Sequence, residues 1–249
     1  MPTPANEPTG RGSTRTAVVW AGLEPTLRGE PRDVLDIGGG TGGFAVRVGA
    51  LGHRVTVVDP SPDALAALDR RAREHDVAVT GRQGDLSSLL DVVGPGSADI
   101  VLCHGVLEVV DDPAAALATL AGVVRPGGVL SLLVAQRHAA VVARAMAGHF
   151  QQALAMLDPQ AGHRPATELP VGRTGHRFSH DELISLVGDA GFAVDTVHAV
   201  RVFTDLVPGS LLDLEPGASA ALVELEQAVA ARPEYLPLAT QLHLLAHRA

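Results

Sequence analysis

Val34-Leu35-Asp36-Ile37-Gly38-Gly39-Gly40-Thr41-Gly42-Gly43 is the stretch with the most evident chemistry in this chain. Four residues of a buried strand run into a glycine turn, and Phe44-Ala45-Val46-Arg47-Val48 reads as the start of a helix. Glycine is required where the backbone takes φ > 0 or must let a ligand come close. Such a turn between a parallel strand and a helix is where a nucleoside cofactor sits in an α/β sheet. Gly38, Gly40 and Gly43 fit the dinucleotide spacing G-x-G-x-x-G, so the glycines alone do not select the cofactor. Asp36 argues against a dinucleotide: a carboxylate inside the turn repels a diphosphate and suits an ammonium group.

Further candidates stand at the ends of later strands. Asp59 closes the next strand about 20 residues on, where an acceptor-only carboxylate can take two hydrogen bonds from a ribose diol. The bland alternative for Asp59 is an N-cap for the helix that opens at Pro60-Ser61-Pro62. Gln83-Gly84-Asp85 follows the third strand, with a small residue for an adenine ring and a carboxylate for its amine. His104 ends the fourth strand at the crevice where ligands bind, as a pocket residue or as a hydrogen-bonded structural one. Arg11 and Arg15 lie one turn apart just ahead of the glycine strand, where one can close over a cofactor.

These residues need an alternating frame, and the chain supplies it. Apolar strands are expected at Asp33–Ile37, Arg54–Val58, Val77–Thr80, Ala98–Cys103 and Val129–Val134. Helices are expected from Ser13 to Pro25, from the glycine turn to about Ala50, and at Ala64–Glu74 and Pro113–Val124. Arg125-Pro126-Gly127-Gly128 reads as a sharp turn into the fifth strand. The alternation predicts an α/β fold with a doubly wound, mostly parallel sheet. Beyond it, Ala139–Phe150 reads as helix and residues 158–174 as a lid or binding loop. A capping box from Ser179 to Glu182 opens another helix. A sixth strand at Ala193–Val202, a helix at Ala218–Ala231 and a last strand at Gln241–Ala246 follow. We expect a flexible stretch at 1–12, a single domain over 13–249 and a substrate-side insert around 137–178.

Composition narrows the class. At 46% hydrophobic residues the 249-residue chain can bury a core, and at 3% aromatics Ala, Val and Leu must pack it. All 19 basic residues are Arg, and the net charge of −9 disfavours broad capture of nucleic acid while allowing a local Arg-lined mouth. The single Cys103, an N-terminus without an apolar signal segment and the lack of a membrane-length apolar run predict a soluble cytoplasmic protein. The 11 His are scattered, so no metal site is expected.

Asp36 followed by Gly38, Gly40 and Gly42, the Arg-Pro-Gly-Gly turn and the late apolar strand together resemble the class I methyltransferases that use S-adenosylmethionine. That likeness implies a seven-stranded sheet with an antiparallel last strand. Over nearly the whole chain the sequence also resembles the bacterial family that esterifies 5-carboxymethoxyuridine at the tRNA wobble position. The likeness rests on Arg11-Gly12 with Arg15 and Trp20, Leu35-Asp36 with Gly38-Gly39-Gly40, and His104 to Glu108. It continues through Arg125 to Leu132, Ala147 to Phe150, Arg201 to Asp205, Glu234-Tyr235 and His243. It implies that Arg15 binds the cofactor's methionine carboxylate and that Gly38, Gly39, Gly40 and Asp59 hold its tail and ribose. It further implies that Gln83 and Gly84 lie by the adenine and that His104 lines the pocket. The chain departs from that family at Val134-Ala135-Gln136 and in lacking a basic segment over 151–163.

A carboxylate acceptor, with a pKa around 4, is ionised at neutral pH and needs no general base. It needs a guanidinium to hold it. Arg201 is the first candidate, with Arg177 and Arg137 behind it. The acceptor is expected to be modified tRNA or, as the alternative, a small-molecule carboxylate. A nicotinamide dehydrogenase and a non-catalytic S-adenosylmethionine-binding module are the competing classes.

Overall fold

The computed structural model describes residues 11–157 and 175–249. The flexible stretch expected at the N-terminus, over residues 1–10, and the lid or binding loop expected over 158–174 lie outside the described residues. Helix α1 (Arg11–Leu23) precedes an alternating series: β1 (Asp33–Ile37), α2 (Gly43–Gly49), β2 (Arg54–Asp59), α3 (Pro62–Glu74), β3 (Val79–Gln83), α4 (Leu89–Val93), β4 (Ala98–His104), α5 (Pro113–Val123) and β5 (Val124–Ala135). Then come α6 (Arg137–Met146), α7 (Phe150–Ala155), α8 (His180–Asp189), β6 (Phe192–Val200), α9 (Gly209–Leu214), α10 (Ala218–Ala230) and β7 (Gln241–Arg248).

The seven strands form one sheet in the order β3-β2-β1-β4-β5-β7-β6. β1 pairs in parallel with both β2 and β4, so the winding reverses between β1 and β4, and the crevice of a doubly wound fold opens there. β7 runs antiparallel between β5 and β6, as the resemblance implies. β4 shows why the parallel strands are apolar throughout. Val101 and Cys103 enter one core with Leu117, Leu120 and Leu183, while Ile100 and Leu102 enter the other with Trp20, Leu23 and Leu68.

Some boundaries move for physical reasons. The third strand is Val79–Gln83, not Val77–Thr80, because its register is set by pairing Val55 with Val79 through Asp59 with Gln83. It is an edge strand, mostly exposed, so its apolar residues do not mark it. Arg125-Pro126-Gly127-Gly128 is not a turn before the fifth strand but a bulge within it: Ala98 pairs with Val124 and Ile100 with Val129. Arg125 there binds Asp99 at 2.7 Å, Asp33 at 3.0 Å and the Gly96 and Ser97 carbonyls at 3.1 and 3.2 Å. The motif thus fastens the amino ends of β1, β4 and β5, opposite the crevice. The helix expected over Ala139–Phe150 is two helices, broken at Gly148 with φ 77°. The Ser179–Glu182 capping box forms as expected.

Candidate functional site

At the carboxyl ends of β1 and β2 the glycine turn folds back over its own aspartate. Gly38, Gly40 and Gly42 have φ of 67°, 54° and 77°, values that suit residues without a Cβ. A methyl group on Gly39 would sit 2.5 Å from Asp36 Oδ2, so the carboxylate packs directly on the Gly39 backbone. Asp36 is buried, and burial first, then Asp59, pushes its pKa up to about 7. Asp59 fastens the turn to β2: its Oδ2 accepts from Gly40 N and its Oδ1 from Ser61 N, both at 2.9 Å. Asp59 is not the N-cap of α3, since Ser61 takes that place by accepting from Ala64 N. Each Asp59 oxygen keeps a lone pair for a diol.

A cavity of about 630 Å³ continues from this turn, lined among others by Gly38, Asp59, Gly84, Asp85, Val106 and Asp111. Gly84 N donates to the Asp59 carbonyl at 3.3 Å, which joins the third strand's end to the second's. Asp85 uses Oδ1 for the amides and hydroxyls of Ser87 and Ser88. The Ser87 hydroxyl, first among these contacts, holds its pKa below the usual carboxylate range. Gln83 is brought near but does not line the cavity. Its side chain lies on the surface and donates to the Pro60 carbonyl at 3.3 Å.

His104 takes the hydrogen-bonded structural reading offered for it and, like Gln83, is not among the residues that line the cavity. It stands at the crevice, edge-on to Phe44, and its Nε2 is 2.9 Å from Ser131 Oγ, which in turn is 2.9 Å from His243 Nε2. Burial first, and Arg15 second, lower its pKa to about 3, so the ring is neutral. Neither Ser131 nor His243 stands out in the sequence as a partner of His104. β5 and β7 bring them together by pairing Leu133 with His243.

On the other side of the crevice the charges change sign. Arg15, Glu108, Arg177 and Arg201 fall within electrostatic reach of one another in a run. Burial is the leading cause that lowers the pKa of Arg15, with Glu108 opposing and Arg201 adding to it. Burial also raises Glu108, against its hydrogen bonds and the pull of Arg15 and Arg177. Glu108 Oε1 accepts from Ala135 N at 2.8 Å, while Oε2 is buried without a partner among the described residues. Sequence reasoning missed Glu108 as a site residue, although a carboxylate in the apolar run Val106-Leu107-Glu108-Val109-Val110 is the signal that marks it. Arg137 is not drawn into this group. It pairs with Glu182 at 2.8 Å and donates to the Arg177 carbonyl, anchoring α6 to the start of α8.

Arg201 is held unusually. It and Asp76 are the two non-glycine residues with positive φ among the described residues, Arg201 at 60°. For a long side chain this conformation costs on the order of 1–2 kcal/mol and persists only where the surroundings fix it. Its guanidinium pairs with Asp205, and its Nε is buried without a partner among the described residues.

Residues 35–132 match the family model described as a methyltransferase domain. The chain carries a methyltransferase domain. Its relatives extend the likeness. The tRNA 5-carboxymethoxyuridine methyltransferase of Escherichia coli O157:H7 is 28% identical over 248 residues, 96% of this chain and 90% of that protein. The ubiquinone biosynthesis O-methyltransferase of Xanthomonas campestris pv. campestris (strain B100) is 34% identical over 130 residues, 52% of this chain and 53% of that protein. Among solved structures, a SAM-dependent methyltransferase of Methanosarcina mazei superposes with a TM-score of 0.62 at 17% identity, covering 91% of this chain and 96% of its own. The matched stretch ends within β5, so Arg15 on α1, Arg177 ahead of α8 and Arg201 just after β6 lie outside it, while Glu108 lies inside.

Proposed function

We propose that this methyltransferase esterifies a carboxylate on the modified wobble uridine of tRNA. S-adenosylmethionine is the methyl donor. When bound it supplies an electrophilic methyl on a sulfonium that departs as a neutral thioether. The residues present fit it on one observation: two carboxylates, Asp36 and Asp59, stand at the turn close enough for the charge of Asp59 to raise the pKa of Asp36. That pair attracts an ammonium group and ribose hydroxyls and repels a diphosphate. Asp36 and the turn glycines Gly38, Gly39 and Gly40 would hold the methionine tail, and Arg15 its carboxylate. Asp59 would hold the ribose, and Gly84 with Asp85 the adenine end. Gln83 would contribute at most at the rim.

The single observation that carries the acceptor reading is that two further guanidiniums, Arg177 and Arg201, gather with Arg15 beyond the cofactor cleft, with Glu108 and Asp205 as the carboxylates among them. Arg201 would hold the acceptor carboxylate through its planar fork, with Arg177 adding positive potential. The carboxylate oxygen attacks the methyl carbon and the carbon–sulfur bond breaks, so no proton moves. The neutral His104 agrees with this: a ring with a pKa near 3 is a poor base for a hydroxyl acceptor but a sound, uncharged wall for the crevice. Alignment and exclusion of water then supply most of the rate.

A second reading makes the acceptor a small carboxylic acid, favoured by the net charge of −9. One experiment separates the readings. The purified protein is given labelled S-adenosylmethionine with tRNA bearing 5-carboxymethoxyuridine, or with a panel of small acids. Base-labile label in the tRNA is the expected result. Label only in an acid selects the second reading, and no transfer to either defeats both. Calorimetry against S-adenosylmethionine and NAD checks the donor, with heat expected from the first alone.

A further inference from the structure

We infer that Glu226, on α10, is a positioning residue that sets the direction of Arg201; the inference rests on the reading of Arg201 as the acceptor's anchor. Glu226 is completely buried. Its Oε2 accepts from Val202 N at 2.9 Å. Its Oε1 accepts from Phe203 N at 2.9 Å, Thr204 N at 2.8 Å and Thr204 Oγ1 at 2.7 Å. Three consecutive amides converging on one carboxylate form an anion nest, and here the chain fills it with its own side chain. A buried carboxylate is costly unless it is hydrogen-bonded, and an apolar residue would pack α10 with less penalty. All four of its bonds go to the three residues immediately after Arg201. Glu226 therefore stabilises one specific loop path and not the helix interface at large.

That path is the one in which Arg201 is left-handed. The other side of the loop is fixed as well. Thr240 donates from N to the Arg201 carbonyl at 3.2 Å. Its Oγ1 reaches that same carbonyl at 3.2 Å and Asp205 Oδ2 at 3.0 Å. Asp205 pairs with the guanidinium itself. Arg201 is thus gripped at its carbonyl, its following amides and its fork. Removing the nest releases the strained φ, because among the described residues Glu226 is the group that satisfies the amides of residues 202–204 together. α10 also packs on α1, the helix that carries Arg15. Val18 and Val19 of α1 share a cluster with Val200 and with Ala230 of α10. Residues from both ends of the sequence therefore bear on the placement of the two arginines.

The test uses the full chain with Glu226→Gln, which keeps the volume but turns an amide group towards the nest, and Thr204→Val, which removes only the hydroxyl bond. Two readouts are taken. The first is steady-state methyl transfer to tRNA bearing 5-carboxymethoxyuridine, with S-adenosylhomocysteine affinity measured by calorimetry. The second is relaxation of the Arg201 Nε–H in arginine-labelled protein, identified as the signal that Arg201→Lys removes. For Glu226→Gln we expect KM for the tRNA to rise at least about tenfold, cofactor-product affinity to stay within about twofold, and Arg201 Nε–H to become mobile. Thr204→Val should raise KM for the tRNA about threefold and loosen Arg201 Nε–H, with cofactor-product affinity again unchanged, and it carries the test should Glu226→Gln fail to fold. In an Arg201→Ala background Glu226→Gln should have no further kinetic effect. An unchanged Arg201 signal, an equal loss in the Arg201→Ala background, or a parallel fall of cofactor-product affinity overturns the inference. Should Arg201→Ala itself methylate tRNA normally, the acceptor reading fails, while the relaxation readout still decides whether Glu226 holds Arg201.

Discussion

The two sides of the crevice are built on opposite principles. The side formed by β1, β2 and β3 presents carboxylates on a backbone cradle: Asp36, Asp59 and Asp85 around Gly38, Gly39 and Gly40. Its geometry is local, because the glycines, Asp36 and the start of α2 lie within one short stretch, and Asp59 reaches it through a single hydrogen bond to Gly40. The side formed by α1, the segment after β4, the segment ahead of α8 and the end of β6 presents guanidiniums on side chains. Its geometry is remote, because Arg15, Glu108, Arg177 and Arg201 come from four separate segments. Acids suit the cationic part of a donor, and arginines suit anionic groups, the donor's carboxylate at Arg15 and an acceptor's at Arg201 in the proposed reading. A methyltransferase that joins the two must keep them apart, and the neutral His104 stands between them.

The division of labour can be broken from either side. Arg201→Ala should have the largest effect. It should lower kcat/KM for the acceptor by about 10²- to 10³-fold, as for removal of one partner from a buried charged contact. S-adenosylhomocysteine affinity by calorimetry should change less than about twofold; a loss as large as that in turnover would erase the distinction between the sides. Gly39→Ala should act in the other direction. Its methyl group, 2.5 Å from Asp36 Oδ2, forces the buried carboxylate or the turn to move. Overpacking of this kind costs about 1–3 kcal/mol, so cofactor affinity should fall roughly 10- to 100-fold.

A pH titration sharpens the comparison further. The folded chain holds the Asp36 proton up to about pH 7, against a reference value of 3.8. Between those values the folded state binds more protons than the unfolded one, so the unliganded protein should gain stability as pH falls from 7 towards 4. An ammonium group needs the ionised carboxylate, so affinity for S-adenosylmethionine should move oppositely, falling about tenfold per unit below pH 7. Asp36→Asn should remove both dependences and raise the melting temperature of the unliganded protein at pH 8. The smallest effect belongs to neither side. Arg125→Met, at the amino ends of the strands, should cost about 1 kcal/mol, roughly 2–4 °C in melting temperature, because its ion pairs are partly exposed. The kinetics should not change.

The sheet was legible wherever burial on both faces made a strand uniformly apolar, as in β1, β2 and β4, and least legible at β3, whose edge position leaves it polar. The Arg125-Pro126-Gly127-Gly128 stretch was recognisable as a bend, but only pairing with β4 decides that it is a bulge. Glu226 carried a signal that periodicity contains, since it falls four residues after Leu222 and three before Val229, on the buried face of α10. What it binds could not be read in the same way, because the amides of residues 202–204 lie more than twenty positions away.

From the sequence alone came the fold class, the glycine cradle with Asp36 and Asp59, and the sign of the charge it would welcome. Those depend on backbone conformation and strand order, which residue type and spacing constrain directly. Tertiary structure alone decided that Arg137 is an anchor to Glu182, that His104 is wired to Ser131 and His243, and that Glu226 grips the loop of Arg201. Each of these depends on which side chains meet across the sheet, and a guanidinium or carboxylate has the same letter whether its partner is water, a helix end or a ligand.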